Sequence, residues 1–132
     1  MKSTLSKAVV LLPILMLAGC MHQRINVRSL SFEGLSYHQI WNAALRAVHD
    51  IDFVIYAVDE RAGFIGAEGG RQIYQDVPPR LSIFITEDYG RVYVDCKVHQ
   101  PEQLIDFFGY GRRTVRHFFA ALNMNLHRGY DR

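Results

Sequence analysis

The 132-residue sequence predicts a small α+β domain in which two helices cover one face of an antiparallel sheet. Three observations predict this fold class. Apolar residues recur at helical spacing between residues 36 and 51, four later runs follow the two-residue period of strands, and helical spacing returns after Pro101. The predicted order is therefore α-β-β-β-β-α, with a four-stranded meander as the sheet.

The first predicted helix begins after Ser36. Ser36 is a good N-cap, and Gln39, three residues later, completes a capping box. The apolar residues that follow define one buried stripe, and the helix is expected to end near Asp50. The stripe contains Ile40, Trp41, Ala44, Ala47, Val48 and Ile51.

Four strands are predicted to form two successive hairpins, because β-branched and aromatic residues dominate runs bounded by turn residues. Residues 59–63 and 87–90 supply the two turns, and a longer loop from Gly69 to Pro79 separates the hairpins. The predicted strands are residues 53–58, 64–67, 80–86 and 91–98.

The last predicted strand determines the expected environment of Cys96. Strand alternation places Val92, Val94, Cys96 and Val98 on one face, with Leu81, Ile83 and Ile85 of the neighbouring strand beside them. We therefore expect Cys96 to be a small buried core residue and not a reactive thiol.

The second predicted helix begins at Pro101, which suits the first helical position, and Gly109 and Gly111 are expected to weaken or kink it. The folded domain is expected to span residues 35–127 and to be followed by a frayed tail at 128–132. The apolar stripe of this helix contains Leu104, Phe107 or Phe108, Gly111, Val115, Phe118, Leu122 and Leu126.

The first nineteen residues have the composition of a removable export signal. Lys2 and Lys7 precede an apolar run at residues 8–17, which is too short to span a bilayer and is interrupted by Pro13. The run ends in Leu17, Ala18, Gly19 and Cys20. This segment resembles the lipobox signals of bacterial lipoproteins.

That resemblance implies attachment of diacylglycerol to the Cys20 thiol, cleavage before it and acylation of the new amine. Several acyl chains would make membrane attachment stable. Because the next residue is Met21 and not the Asp that retains lipoproteins at the inner membrane, the resemblance favours the outer membrane, facing the periplasm. Residues 20–34 are then expected to form a lipidated tether, although residues 25–27 could instead pair as an edge strand.

The charge of the chain gives no indication of nucleic-acid binding. The formal net charge is +2, and removal of Lys2 and Lys7 with the signal reduces it to zero. Lys97 is the only lysine that remains after residue 19. The abundance of arginine suits contacts with carboxylate or phosphate, but biased codon usage explains it equally well.

The domain also resembles a group of small bacterial lipoproteins. Residues 41–47, 53–59 and 63–68 match the pattern Trp-x-x-Ala-Leu, an apolar strand and Asp-x-x-x-Gly-x-Ile/Phe. The same pattern occurs in the helix-grip domains of the C lipoprotein of the β-barrel assembly machinery. The resemblance implies an α+β fold and transfers no catalytic residue.

No arrangement of polar residues in the sequence predicts an enzyme. The carboxylates lie mainly at hairpin turns, and the histidines lack the spacing of metal ligands. Cys96 and His99, the nearest candidates for a nucleophile and base, should point to opposite faces of their strand. We therefore expect no metal ion or cofactor.

Two surface features are candidates for binding. Tyr56, Phe84 and Tyr93 should project from the sheet face opposite the helices, as a patch for protein docking. The alternative is that Phe84 pairs with Tyr93 across the strands and only stabilises the hairpin. Separately, three arginines of the last helix could bind lipid phosphates or an acidic partner: Arg112, Arg113 and Arg116. The alternative is that they form a solvated helix face.

The sequence thus favours a non-enzymatic envelope lipoprotein that binds another envelope protein as a structural or assembly accessory. Two alternatives remain. One is a binder of small ligands or lipids that uses the Gly69–Pro79 loop as a lid, and the other is a hydrolase acting on peptidoglycan or lipid. The sequence leaves the oligomeric state open, since an exposed edge strand could also pair two copies.

Overall fold

A computed structural model of the chain describes residues 26–70, 78–99 and 109–130. Two helices and five strands are present in these ranges. In chain order they are β1 (Asn26–Glu33), α1 (Tyr37–Asp50), β2 (Phe53–Asp59), β3 (Phe64–Gly69), β4 (Arg80–Asp88), β5 (Arg91–His99) and α2 (Tyr110–Tyr130).

The strands form one antiparallel sheet in the order β1-β5-β4-β3-β2. The α+β class, the two hairpins and the four predicted strands are confirmed. The prediction of only four strands was wrong, because residues 26–33 pair with β5 along their whole length, from Asn26 opposite Val98 to Glu33 opposite Arg91. Most of the predicted tether is therefore part of the sheet. The strand begins at Asn26, within the segment 25–27 that was the alternative edge strand.

A weak alternation explains why β1 was missed. Leu30 and Phe32 are half-buried against the core, and Ser29 and Ser31, which alternate with them, are exposed. Earlier in the strand the exposed Arg28 lies on the side of Leu30, and so only two residues carry the expected apolar period. Pairing with the long, regular β5 forms the strand.

Helix α1 begins as the sequence predicts. The Ser36 hydroxyl accepts a hydrogen bond from the Gln39 backbone at 3.2 Å, and the Gln39 side chain accepts one from the Ser36 backbone at 2.9 Å. These bonds satisfy two backbone N–H groups at the helix start, which have no partner within the helix. The predicted stripe is buried except for Ile51, which is half-buried at the C-cap.

One core lies between the helices and a single face of the sheet. Both helices contact each other and the sheet, and Phe118 and Leu122 of α2 are completely buried there. The predicted sheet residues are buried on the same face, as Cys96 is. They are Leu81, Ile83, Ile85, Val92, Val94 and Val98.

Helix α2 begins at Tyr110, directly after Gly109, which has a positive φ of 61°. The predicted helix start at Pro101 and the stripe positions Leu104, Phe107 and Phe108 lie outside the described residues. At the other end the helix continues to Tyr130, into the segment 128–132 that was expected to fray. Neither described helix is long and apolar enough to cross a membrane.

Candidate functional site

The second face of the sheet carries no helix. Its central side chains are half-buried, among them Ser82, Phe84, Tyr93, Asp95 and Lys97. Since neither described helix packs there, these side chains cover one another and remain accessible to a partner. This open face is the candidate site.

A β-bulge places Tyr56 on the open face. The β2–β3 register shifts between Ile55 and Ala57, so Tyr56 has no direct ladder partner. Its ring lies over Gly66 of β3, where an added Cβ would come within 2.8 Å of the ring. Gly66 therefore provides the space that the tyrosine occupies, an arrangement by which aromatic rings cover strand glycines.

Two phenylalanines extend this surface across the sheet. Phe64 lies opposite Phe84, and their ring centroids are 5.2 Å apart with an interplanar angle of 45°. Such tilted pairs are a favourable aromatic geometry. We refer to Tyr56, Phe64 and Phe84 as the aromatic patch.

Two cations border the aromatic patch. The Arg80 guanidinium lies 5.9 Å from the centre of the Tyr56 ring, and the Lys97 ammonium lies 5.3 Å from the centre of the Phe84 ring. Both distances are within the range of cation–π attraction. Arg80 also donates a 3.0 Å hydrogen bond to Glu68, which partly neutralises that border.

Tyr93 lies outside the aromatic patch. The register places Asp95 opposite Phe84 and Thr86 opposite Tyr93. The two rings are therefore not direct cross-strand partners, which does not favour the alternative that Phe84 pairs with Tyr93. On its other side Tyr93 faces Ser31 of β1. The cross-strand aromatic partner of Phe84 is Phe64, which the sequence analysis did not single out.

The three arginines predicted to contact an anionic surface are exposed on the first part of α2. They are Arg112, Arg113 and Arg116. Arg28 of β1 extends over the same helix, with its guanidinium 5.5 Å from the centre of the Phe119 ring. The predicted lipidation site at Cys20 and the preceding Leu17, Ala18 and Gly19 lie outside the described residues.

The titratable side chains of the described residues are dispersed. Burial raises the pKa of the Cys96 thiol to about 12, so the thiol is protonated at neutral pH. His38 and Glu60 approach within 3.2 Å at an exposed position, with side chains 73% and 52% accessible. Within the described ranges, no group of three or more His, Cys, Asp or Glu side chains is placed to hold a metal ion.

A groove lies at one end of the helix pair. It has a volume of about 380 Å³ and is lined by Phe32, Leu35, Asn123, Leu126 and His127. This position differs from the predicted ligand pocket under the Gly69–Pro79 loop. Of that loop, residues 71–77 are not described, and its ends are joined by a 2.9 Å hydrogen bond from the Gly69 N–H to the Pro79 carbonyl.

One comparison with a solved structure supports the fold, and none of the comparisons indicates a function. No family model matches the chain, and no curated protein matches it. The solved structure of an uncharacterised protein from Bacillus thuringiensis is similar, with a TM-score of 0.53 at 9% identity, over 82% of this chain and 99% of that chain. Ara h 8.0201 gives a TM-score of 0.49 at 10% identity, over 79% of this chain and 99% of that chain.

One residue in the sequence could have indicated part of the aromatic patch. Gly66 interrupts an otherwise apolar strand, and a glycine within a strand indicates a bulge or a close approach by another group. The structure shows that this group is the Tyr56 ring. The neighbours Phe64, Arg80 and Lys97 depend on strand register, which strand propensities alone do not fix.

Proposed function

We propose that this protein is a lipid-anchored envelope lipoprotein that acts without catalysis and docks another envelope protein on the open face of its sheet. In this proposal the chain is anchored through Cys20 to the outer membrane and faces the periplasm. Support for the anchor comes from the lipobox at residues 17–20. Support for docking comes from the aromatic patch.

The observation that carries the docking proposal is an aromatic surface on an uncovered sheet face. Tyr56 is 52% exposed, and the neighbouring Val54 is 72% exposed on the same side of the edge strand β2. Aromatic side chains supply much of the binding energy of protein interfaces, because they bury a large area with little loss of conformational freedom. A core-only role would not require these two side chains to be accessible.

The border of the patch indicates the chemistry of the partner. Arg80 and Lys97 flank the three rings, and Asp95 and Glu68 are the nearby acids on this face. A partner that places an apolar side chain over Tyr56 and Phe84, with carboxylates beside it, would complement this surface. Buried area and charge would then contribute to the same contact.

Crosslinking in cells tests the proposal. The native lipoprotein is crosslinked and purified from the membrane fraction, and the proteins that remain attached are identified. We expect one envelope protein to be captured by the native chain and to be lost with Tyr56→Ser and with Phe84→Ala. The Cys20→Ala chain, which cannot be acylated, is expected to be absent from the membrane fraction.

Tyr89→Ser is the matched control, because Tyr89 is completely exposed at the β4–β5 turn and lies outside the patch. It should retain capture. Circular dichroism establishes that each variant is folded. Capture that survives both patch substitutions in folded protein would contradict docking at this face, and recovery of Cys20→Ala with intact membranes would contradict the anchor.

The groove of about 380 Å³ favours a second candidate function, binding of a small apolar ligand. Its lining combines Phe32, Leu35 and Leu126 with the polar His127 and Asn123, which is the usual composition of a ligand site. Thermal-shift screening against lipids and metabolites tests this candidate. Stabilisation that Leu126→Gln removes would support it, and the absence of any stabilising ligand would favour docking.

A further inference from the structure

The strand pairing defines two ends of the sheet. At one end Asn26 lies opposite Val98 and Arg80 lies opposite His99. At the other end Arg91 lies between Glu33 and Asp88. We call the first the tether end, because β1 begins there, and the second the turn end, because the β4–β5 turn closes it.

Helix α2 runs from the tether end towards the turn end. Phe119 lies beneath Arg28, near the start of β1. Seven residues later, Leu126 lines the groove together with Phe32, near the end of β1. Because an α-helix rises 1.5 Å per residue, Arg112 lies about 10 Å before Phe119, on the tether side.

Among the residues that the structure describes, basic side chains outnumber acidic ones at the tether end. They are Arg112, Arg113 and Arg116 of α2 together with Arg28, Arg80 and Lys97. The acids there are Glu68, which pairs with Arg80, and Asp52, which precedes β2. Strands β1 and β2 are the two edges of the sheet, about 19 Å apart at ordinary strand spacing. Both acids are thus separated from the basic side chains near the start of β1. Asp95 of β5 is nearer, opposite Ser29, but it lies on the sheet face that Arg28 does not share.

The turn end has the opposite charge. Its acidic side chains outnumber Arg61, Arg91 and Arg128, and Arg91 pairs with Glu33. The acids are Glu33, Asp59, Glu60, Glu87 and Asp88. The domain consequently has a basic end and an acidic end along the strand direction.

The three arginines near the start of α2 lie where they do not favour the helix. The first turn contains no acid, and Arg112 and Arg116 are four residues apart on one face. Cations near a helix N-terminus oppose the helix dipole, and like charges at this spacing destabilise a helix by about 0.2–0.5 kcal/mol. Helix stability therefore does not explain Arg112 and Arg116, whereas binding to an anionic surface would explain both.

The proposed anchor fixes which surface lies nearest. Cys20 precedes Asn26 by six residues, and a fully extended chain of that length reaches about 20 Å. The end of the domain that bears Asn26 must remain within that distance of a membrane to which Cys20 is attached. Anionic headgroups attract basic residues over about the Debye length, 8–10 Å at ordinary salt.

We propose that the tether end binds the anionic phospholipid headgroups of the membrane that carries the anchor, through Arg28, Arg112 and Arg116. This inference rests on the proposed lipid anchor. It fixes the orientation of the domain: the strands stand away from the membrane, the acidic turn end points outward, and the aromatic patch faces sideways towards a partner in the same compartment.

Headgroup quenching on vesicles tests this orientation. The intact acylated protein is purified from membranes and reconstituted, with a fluorophore on Ala120→Cys near the basic cluster or on Tyr89→Cys at the turn end. Cys96 should not compete for the label, because it is completely buried. The vesicles contain phosphatidylcholine with or without roughly one third phosphatidylglycerol and a quencher on the headgroup.

On anionic vesicles we expect strong quenching at position 120 and little at position 89. Quenching at position 120 should disappear on pure phosphatidylcholine and at about 1 M salt, where the Debye length is about 3 Å. Arg112→Gln combined with Arg116→Gln should lower the lipid-bound population roughly thirtyfold, which corresponds to about 1 kcal/mol per arginine. Arg61→Gln combined with Arg128→Gln is the control with equal charge loss, and it should quench normally.

Each other outcome has a distinct meaning. Equal quenching at position 120 on neutral and anionic vesicles would overturn the inference, because the tether alone would then hold the domain there. Protein that floats with anionic vesicles without quenching at position 120 would overturn it also, and would leave the anchor intact. Protein that does not float with vesicles at all would overturn both the anchor and this inference.

Discussion

Gly63 is the residue at which the backbone and its surroundings most narrowly limit the side chain. Its φ is +67°, its N–H donates to the Glu60 carbonyl at 3.2 Å, and its carbonyl accepts from the Ile85 N–H at 2.7 Å. An added Cβ would lie 2.0 Å from the Ile85 carbonyl oxygen. The turn between β2 and β3 is therefore joined to β4 at a position that only glycine fits.

We expect Gly63→Ala to lower the free energy of unfolding by about 3 kcal/mol or more, because a strained φ and a backbone clash add together. Gly90→Ala is the matched control, since Gly90 has a φ of +76° and no atom within 4 Å of an added Cβ. It should lose only about 1 kcal/mol. Urea denaturation measures both, and equal losses would show that the contact with Ile85 does not decide the effect.

The buried Cys96 makes the free energy of unfolding depend on pH in the alkaline range. Burial raises its pKa from 9.0 to about 12. Because the folded-state pKa is the higher one, this contribution is fully present below pH 9 and is lost as the pH rises towards about 12. In that window the unfolding free energy should fall by up to about 1.4 kcal/mol per pH unit more steeply than in Cys96→Ala.

Tyr37 contributes to the same limb of the pH profile. Its hydroxyl donates a 2.7 Å hydrogen bond to the Glu60 carbonyl, and burial, then Glu60, then Asp59 raise its pKa above 10.0. Tyr37→Phe should therefore flatten the profile above about pH 10. Urea denaturation of the native protein, Cys96→Ala and Tyr37→Phe at several pH values separates the two contributions. If both variants lost stability with pH as steeply as the native protein, this account would be contradicted.

At the scale of elements, β1 is the strand whose role differs most from its sequence. Leu30 lies opposite Val94 and packs against the core, and Ser31 lies opposite Tyr93 on the open face. A tether would tolerate a charge at either position equally. A strand with one buried face would not.

Leu30→Asp should therefore destabilise the domain by about 2 kcal/mol, because it removes apolar burial and places a carboxylate against the core. Ser31→Asp, one residue further on, should change stability by less than about 0.5 kcal/mol. Thermal or urea denaturation compares the two variants. Equal effects would mean that residues 26–33 do not pair as β1.

At the scale of the whole molecule, a single core joins every element. Asn125 of α2 donates a 2.7 Å hydrogen bond to Asp50 at the end of α1, and both helices pack on the same sheet face. Trp41, the only tryptophan, is 3% exposed within that core. Its fluorescence therefore reports on the packing of α1.

We expect the domain to unfold as one cooperative unit. Tryptophan fluorescence and far-ultraviolet circular dichroism should then give the same urea midpoint, since loss of helix packing and loss of the sheet occur together. A fluorescence transition at lower urea than the dichroism transition would show that α1 detaches before the sheet unfolds.

The sequence by itself determined the features that depend on neighbouring residues. The capping box of α1, the four strands from β2 to β5 and the buried side of Cys96 follow from local spacing, because side-chain periodicity is a property of each element alone. It also placed Tyr56 and Phe84 on the open face.

Only the tertiary structure decided which separate segments meet. Strand β1 forms because β5 offers it a partner, and Phe64, not Tyr93, meets Phe84 because register sets the pairing. Arg28 extends over the Phe119 ring of α2 although more than ninety residues separate them in sequence. These contacts connect distant parts of the chain, and no local pattern encodes their register or direction.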